Sequence, residues 1–112
     1  MKKIGFYTLP ISILLFLLSC NKDKTVPTCS TTEDVSYNSH AKAIIDNNCM
    51  KCHDAGSDNG EYNTYAGLKT VLDNGKFETE VLVDQSMPRF NDLTQEDLDI
   101  LQCWLEGGYL EN

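Results

Sequence analysis

The residues best suited to chemistry lie at positions 49–53, where the sequence is Cys-Met-Lys-Cys-His. Two thiols three positions apart share one face of a helical turn, and an imidazole follows directly. Cys-x-x-Cys-His is the spacing that attaches a c-type haem, because each thiol can form a thioether with one vinyl group of the porphyrin. His53 then falls under the iron as an axial ligand. We therefore predict one covalent haem c bound by Cys49, Cys52 and His53.

Other interpretations of this motif are open. A redox dithiol of the thioredoxin type needs a preceding strand and alternating strands and helices, and the sequence predicts neither. A zinc site needs a further nitrogen or sulfur ligand, but His40, Cys29 and Cys103 form no recognisable pair with each other. A disulfide within the motif would leave its histidine without a role.

The second axial position of the iron is either open to ligands or closed by a side chain. Met87 is the best closing group, because the chain between it and His53 is long enough to pass around the haem edge. Pro88 fixes its own backbone angle, which suits a loop that holds a thioether in place. The alternatives are that Met87 only fills the core, or that His40 is the ligand. We predict Met87 as the second iron ligand.

Three short helices are predicted to position these residues. Their predicted N-caps are Ser39, Thr64 and Thr94, the last with Asp97 as partner in a capping box. They are predicted to end at Asn47-Asn48, Asn74-Gly75 and Gly107-Gly108. Apolar residues recur at helical spacing in each, namely Ala41, Ile44 and Ile45; Leu68, Val71 and Leu72; and Leu98, Ile100, Leu101, Trp104 and Leu105. Between Lys76 and Asn91 we predict a loop without a helix.

The composition limits the function. The chain has 112 residues, with 17 Asp and Glu against 9 Lys and Arg and a formal net charge of −8. This acidic balance argues against nucleic-acid binding, because phosphate backbones are bound by clustered Lys and Arg. An electrostatic partner is expected to present a basic face. No nucleophile with a neighbouring base is evident, so we do not expect an enzyme.

The N-terminus has the pattern of an export signal. Lys2 and Lys3 precede a mostly apolar run, which is short and interrupted by polar residues and a proline. That pattern favours a cleaved signal over a membrane-spanning helix. The sequence Leu17-Leu18-Ser19-Cys20 resembles the lipobox of bacterial lipoproteins, in which the cysteine becomes the acylated first residue. The resemblance implies lipidation at Cys20 and anchoring to a membrane, and Asn21, in place of an Asp, favours the outer membrane.

The domain organisation follows from these patterns. Residues 1–19 are predicted to be a lipoprotein-type signal peptide, and the polar residues 20–34 a flexible tether that buries little surface. Residues 35–112 are predicted to form one domain, whose small core needs a disulfide, a metal or a cofactor. Of the five cysteines, Cys29 and Cys103 remain after lipid and haem attachment. An even remainder in an exported chain predicts a disulfide between them, although two free thiols are the alternative.

These features together resemble the small class I cytochromes c, particularly the monohaem domains of bacterial lipoproteins. The resemblance covers roughly residues 35 to 108 and rests on Ile44-Ile45-Asp46-Asn47-Asn48 before the Cys-x-x-Cys-His motif, Tyr65-Ala66-Gly67-Leu68, Ser86-Met87-Pro88, Leu93-Thr94 and Trp104-Leu105-Glu106-Gly107-Gly108. It implies an all-α, cytochrome c-like fold of three or more short helices around one covalent haem. The first and last helices would cross beside the haem, with Trp104 near the crossing.

The resemblance also implies a function. Cys49 and Cys52 would carry the thioethers, with His53 proximal and Met87 distal to the iron. The expected role is that of a lipid-anchored electron-transfer protein in the periplasm or at the cell surface, serving redox partner proteins. A haem-based ligand-binding or sensor domain, or an accessory haem subunit of a larger redox complex, is the alternative.

Overall fold

The computed structural model describes residues 23–112 of the chain. The predicted signal peptide and the lipidation site at Cys20 lie outside the described residues. The described part is helical and contains no strand, which confirms the predicted helical class. Four α-helices and two π-helical segments follow in chain order: the first π-helical segment Tyr37–Ala41, α1 Lys42–Asn48, α2 Met50–His53, α3 Tyr65–Asp73, the second π-helical segment Glu78–Val83, and α4 Gln95–Glu106.

The predicted caps of α3 and α4 are confirmed. The Thr64 side chain accepts a hydrogen bond from the Gly67 N–H at the start of α3. Thr94 and Asp97 form a complete capping box, in which each side chain accepts a hydrogen bond from the other residue's N–H. Caps of this kind involve residues three positions apart, so the local sequence is sufficient to predict them.

The first helix begins earlier than predicted. Ser36, and not Ser39, is its N-cap, and the Ser36 hydroxyl accepts a hydrogen bond from the Ser39 N–H. The preceding turn is π-helical and buries Tyr37, which is 3% exposed. Burial of this aromatic ring draws the chain into the core one turn before the predicted start. Tertiary packing therefore chooses between two serines that are equally able to cap.

The predicted absence of a helix between Lys76 and Asn91 is wrong. Glu78–Val83 is a π-helical segment, and it buries the neighbouring residues Val81 and Leu82. Two adjacent apolar residues do not show the three- and four-residue spacing of an amphipathic α-helix, so the periodicity gave no signal.

The core lies between α4 and the two π-helical segments, which both pack against α4. Trp104 is completely buried, and its ring centroid lies 6.1 Å from the centroids of Tyr37 and of Phe77. The Trp104 Nε1–H donates a 2.9 Å hydrogen bond to the carbonyl oxygen of Leu110, so the one polar atom of the indole is satisfied. We call Tyr37, Phe77 and Trp104 the aromatic core.

A disulfide joins Cys29 to Cys103, with 4.7 Å between the two Cα atoms. It fixes residues near the end of the predicted tether to α4, and this pairing agrees with the one expected from the cysteine count. Disulfides persist in oxidising compartments, so the bond indicates an exported protein. Within residues 23–112, none of the helices has the length and apolar character needed to cross a membrane.

Candidate functional site

A cavity of about 810 Å³ lies beside the core. Its volume falls within the range of roughly 300–1,000 Å³ that is common for small-molecule and cofactor sites. The four predicted haem residues, Cys49, Cys52, His53 and Met87, all line it. Much of the remaining lining is apolar and includes Ile44, Ile45, Phe77, Val81, Leu93 and Leu101. The structure therefore brings together residues that are far apart in the sequence.

The Cys-x-x-Cys-His motif forms one helical turn at the junction of α1 and α2. The Cys49 N–H donates to the Ile45 carbonyl at 2.8 Å, which continues the hydrogen bonding of α1. The Cys49 carbonyl in turn accepts from the N–H groups of Cys52 and His53, at 3.2 and 3.0 Å. Both motif cysteines are free thiols, and Cys52 is exposed whereas Cys49 is half-buried. The disulfide within the motif is thus not formed in this structure.

The environment of Cys49 bears on the dithiol interpretation. Burial, with a smaller contribution from the Asp46 carboxylate, raises the pKa of the Cys49 thiol to about 11. Reactive cysteines of the thioredoxin type have lowered pKa values, since the thiolate is the nucleophile. Cys49 is therefore a protonated thiol at neutral pH and is not the activated nucleophile of a redox dithiol.

The imidazole of His53 is held from two sides. Its Nδ1 lies 3.3 Å from the carbonyl oxygen of Gly60, so a proton on Nδ1 is donated to that oxygen and Nε2 keeps a free lone pair. The Tyr62 ring stacks on the imidazole with 4.1 Å between centroids and a 6° interplanar angle. Gly60 has a φ of +102°, and a Cβ there would lie 3.1 Å from the Tyr62 ring. These contacts hold the imidazole ring in one orientation at the cavity.

Met87 reaches the cavity from a different element. The N–H groups of Ser86 and Met87 both donate to the Glu80 carbonyl oxygen, at 2.9 and 3.2 Å. These bonds attach the loop to the second π-helical segment, directly after it ends. The element that the periodicity missed is therefore the one that positions the predicted second ligand.

The polar part of the cavity lining includes positively and negatively charged side chains. Lys51, Lys76 and Arg89 line it together with Asp58 and Glu80. Lys76 and Glu80 form an ion pair, with 3.7 Å between Nζ and Oε1. Lys51 also lies over the ring of Phe90, 5.5 Å from its centroid. The cavity lining therefore carries basic as well as acidic side chains, although the chain as a whole is acidic.

Two residues considered from the sequence lie elsewhere. His40 is absent from the cavity lining, and its Nδ1 accepts a 3.4 Å hydrogen bond from the Ser36 N–H. Trp104 belongs to the aromatic core and is not part of the cavity lining. Two contacts of His53 were not predicted, namely the stacking of Tyr62 on its ring and the approach of the Gly60 carbonyl oxygen to Nδ1. Neither contact has a sequence signal, since both depend on the path of the loop after α2.

One expectation is corrected. The chain is expected to be metal-binding, but no three His, Cys, Asp or Glu side chains within residues 23–112 are grouped so that they could hold a metal ion. This part of the chain therefore forms no metal site from its own side chains, a finding that also removes the zinc interpretation there. The separation of His40, Cys29 and Cys103 from the motif is the physical reason, since Cys29 and Cys103 are bonded to each other.

Comparison with models of protein families, with curated proteins and with solved structures finds no significant match to this chain.

Proposed function

We propose that this protein is a monohaem c-type electron-transfer protein, exported and anchored to a membrane by lipid at Cys20. One observation carries the proposal: Cys49, Cys52, His53 and Met87 line the same cavity of about 810 Å³. Cys49, Cys52 and His53 come from one helical turn at the junction of α1 and α2, and Met87 comes from a loop. Three of the four are close together in the sequence, so the arrival of Met87 at the cavity that the motif lines is the part that the motif spacing does not impose.

The donor set fits a haem. The thiols of Cys49 and Cys52 would form the two thioethers, and both are free. The Nε2 of His53 and the sulfur of Met87 would be the axial ligands, and a porphyrin supplies the other four nitrogens. Two protein side chains would then complete the coordination of the iron. The proposal therefore does not require three or more protein ligands grouped around a metal ion.

Each residue has a task that the described contacts support. Gly60 and Tyr62 orient the His53 imidazole. The Glu80 carbonyl fixes the backbone of the Met87 loop. The apolar side chains of the lining would pack against a haem bound there and lower the dielectric constant beside it, which tunes a reduction potential. A haem bound there would supply a one-electron couple, and imidazole with thioether ligation favours electron transfer over ligand binding.

The test is a set of optical spectra of the mature protein, made in a host with haem-attachment machinery. We expect a covalent low-spin haem, a sulfur-to-iron charge-transfer band in the ferric state and no change of the ferrous spectrum with carbon monoxide. Met87→Ala should lose the band and bind carbon monoxide. Met50→Ala, at the start of α2, is the matched control and should retain both properties of the wild type.

Other outcomes would change the proposal. A wild-type protein with covalent haem that binds carbon monoxide would favour a ligand-binding or sensor domain. Stable co-purification with a larger redox complex would favour an accessory subunit. A protein that acquires no haem would refute the proposal.

A further inference from the structure

Residues 24–29 lie against the folded domain, and we call them the strut. At one end the strut is fixed to α4, because Cys29 is bonded to Cys103 and the Thr28 N–H donates a 2.7 Å hydrogen bond to Asp99. The Asp99 carboxylate accepts this bond, which lowers its pKa. This end of the strut therefore has a covalent and a charge-assisted attachment.

At its other end the strut contacts the loop that carries Met87. Lys24 Nζ lies 3.9 Å from a carboxylate oxygen of Asp84. The side-chain amide of Gln85 donates a hydrogen bond to the carbonyl oxygen of Thr25. Gln85 is two residues before Met87, so the strut is hydrogen-bonded to the loop close to the proposed iron ligand.

The backbone of Gln85 has a φ of +49°, which side chains other than glycine rarely adopt. Such a conformation persists where the surrounding contacts impose it. The Gln85 amide is shared between the carbonyl of Thr25 and that of Leu82, the latter at 3.4 Å. The contact with the strut is thus one of the interactions that hold this turn.

A second cavity, of about 130 Å³, lies between the strut and the Met87 loop. Asp23, Thr25, Gln85 and Met87 are among the residues that line it. Met87 therefore borders two cavities, the large one that contains the motif cysteines and this small one beside the strut. Movement of the strut would give Met87 room to leave the large cavity.

We propose that the strut positions Met87 toward the large cavity, with Gln85 as the positioning residue that connects the two. The inference rests on the proposed iron ligation by Met87. It gives the N-terminal segment a second role besides attachment, since the state of the strut would decide whether the second axial position is closed.

The test replaces glutamine with asparagine at two positions and compares the iron coordination of the two variants. Gln85→Asn keeps a residue type that tolerates positive φ, but its amide is one methylene too short to reach Thr25. Gln102→Asn is the control, because Gln102 lies on α4 and its side-chain amide donates a 2.8 Å hydrogen bond to Glu106 of the same helix. The holoprotein is titrated with imidazole as a competing iron ligand, and the charge-transfer band is recorded.

We expect Gln85→Asn to weaken the charge-transfer band and to raise the apparent affinity for imidazole by about three- to tenfold, as for the loss of one ordinary hydrogen bond. Gln102→Asn should stay within about twofold of the wild type. The double variant Cys29→Ser/Cys103→Ser should shift imidazole affinity in the same direction as Gln85→Asn.

Equal imidazole affinities for the two glutamine variants would overturn the inference, as would a lower melting temperature of Gln85→Asn with an unchanged band. In both cases the wild-type band would still support ligation by Met87. A wild-type holoprotein without the band would instead refute ligation by Met87, and the role of the strut with it.

Discussion

Around Trp104 the side chains of Tyr37 and Phe77 fill the interior, whereas around His53 the chain encloses a cavity of about 810 Å³. We compare this aromatic core with the motif side, which comprises the residues that line the large cavity. The two regions share a boundary, because Phe77 belongs to the core and also lines the cavity. They differ in what fills the space between the helices.

The difference indicates that the aromatic core stabilises the fold, whereas the motif side leaves space for the proposed cofactor. The aromatic core is filled by side chains of the chain itself, and the indole N–H of Trp104 has a hydrogen-bond partner, although the buried Tyr37 hydroxyl has none among the described residues. On the motif side, Cys52 is exposed and Phe90 is 77% exposed. Small domains commonly require a cofactor or cross-link to complete their interior. Here the Cys29–Cys103 disulfide joins the segment before the domain to α4, the helix that carries Trp104. The proposed cofactor would occupy the motif side.

The largest expected effect is that of truncation in the aromatic core. Trp104→Ala should lower the free energy of unfolding by about 3–5 kcal/mol, because it removes a fully buried indole and leaves a void. Phe90→Ala on the motif side should cost no more than about 0.5 kcal/mol. Denaturant unfolding measures both, and equal losses would contradict the distinction between the two regions.

Loss of the cross-link should have the next largest effect. The double variant Cys29→Ser/Cys103→Ser should be less stable by about 2–4 kcal/mol, because the disulfide restricts the unfolded chain over a separation of 74 residues. Thermal unfolding of the wild type with and without a dithiol reductant is an independent measurement. A melting temperature insensitive to both changes would show that the core alone sets the stability.

A smaller effect is expected where the loop after α2 packs on α3. A Cβ at Gly67 would lie 2.0 Å from the carbonyl oxygen of Glu61, so Gly67→Ala should destabilise the fold by about 1–3 kcal/mol. Intrinsic helix propensity alone would give the opposite sign. Ala66→Gly, at the exposed neighbouring position, is the control and should cost about 0.5–1 kcal/mol. Stabilisation by Gly67→Ala, in urea unfolding, would show that this loop is not held against α3.

The smallest expected effect concerns the two motif thiols in the full chain made without haem attachment. Because burial raises the pKa of Cys49 to about 11, its thiolate fraction stays low until the pH approaches that value. We expect exposed Cys52 to be alkylated about tenfold faster at pH 8. The ratio should fall as the pH rises toward 11. Mass spectrometry of the labelled peptides measures it, and equal rates at pH 8 would contradict a buried Cys49.

Several features could be predicted because they depend on residues close together in the sequence. The caps at Thr64 and Thr94, and the placement of Cys49 directly after a short helix, involve spacings of at most one helical turn. The disulfide was predicted for a different reason, since assigning three of the five cysteines to the expected lipid and haem left one pair, Cys29 and Cys103. Spacing within a turn and residue counts are properties that one sequence carries completely.

The tertiary structure decided the rest, because those features depend on contacts between distant segments. It selected Ser36 as the cap by burying Tyr37, and it folded Glu78–Val83 into a π-helical segment that packs on α4. It also set the cavity volume, the stacking of Tyr62 on His53 and the contact between the strut and Gln85. Local periodicity cannot encode these contacts, since their free energies come from groups that meet only when the chain is folded.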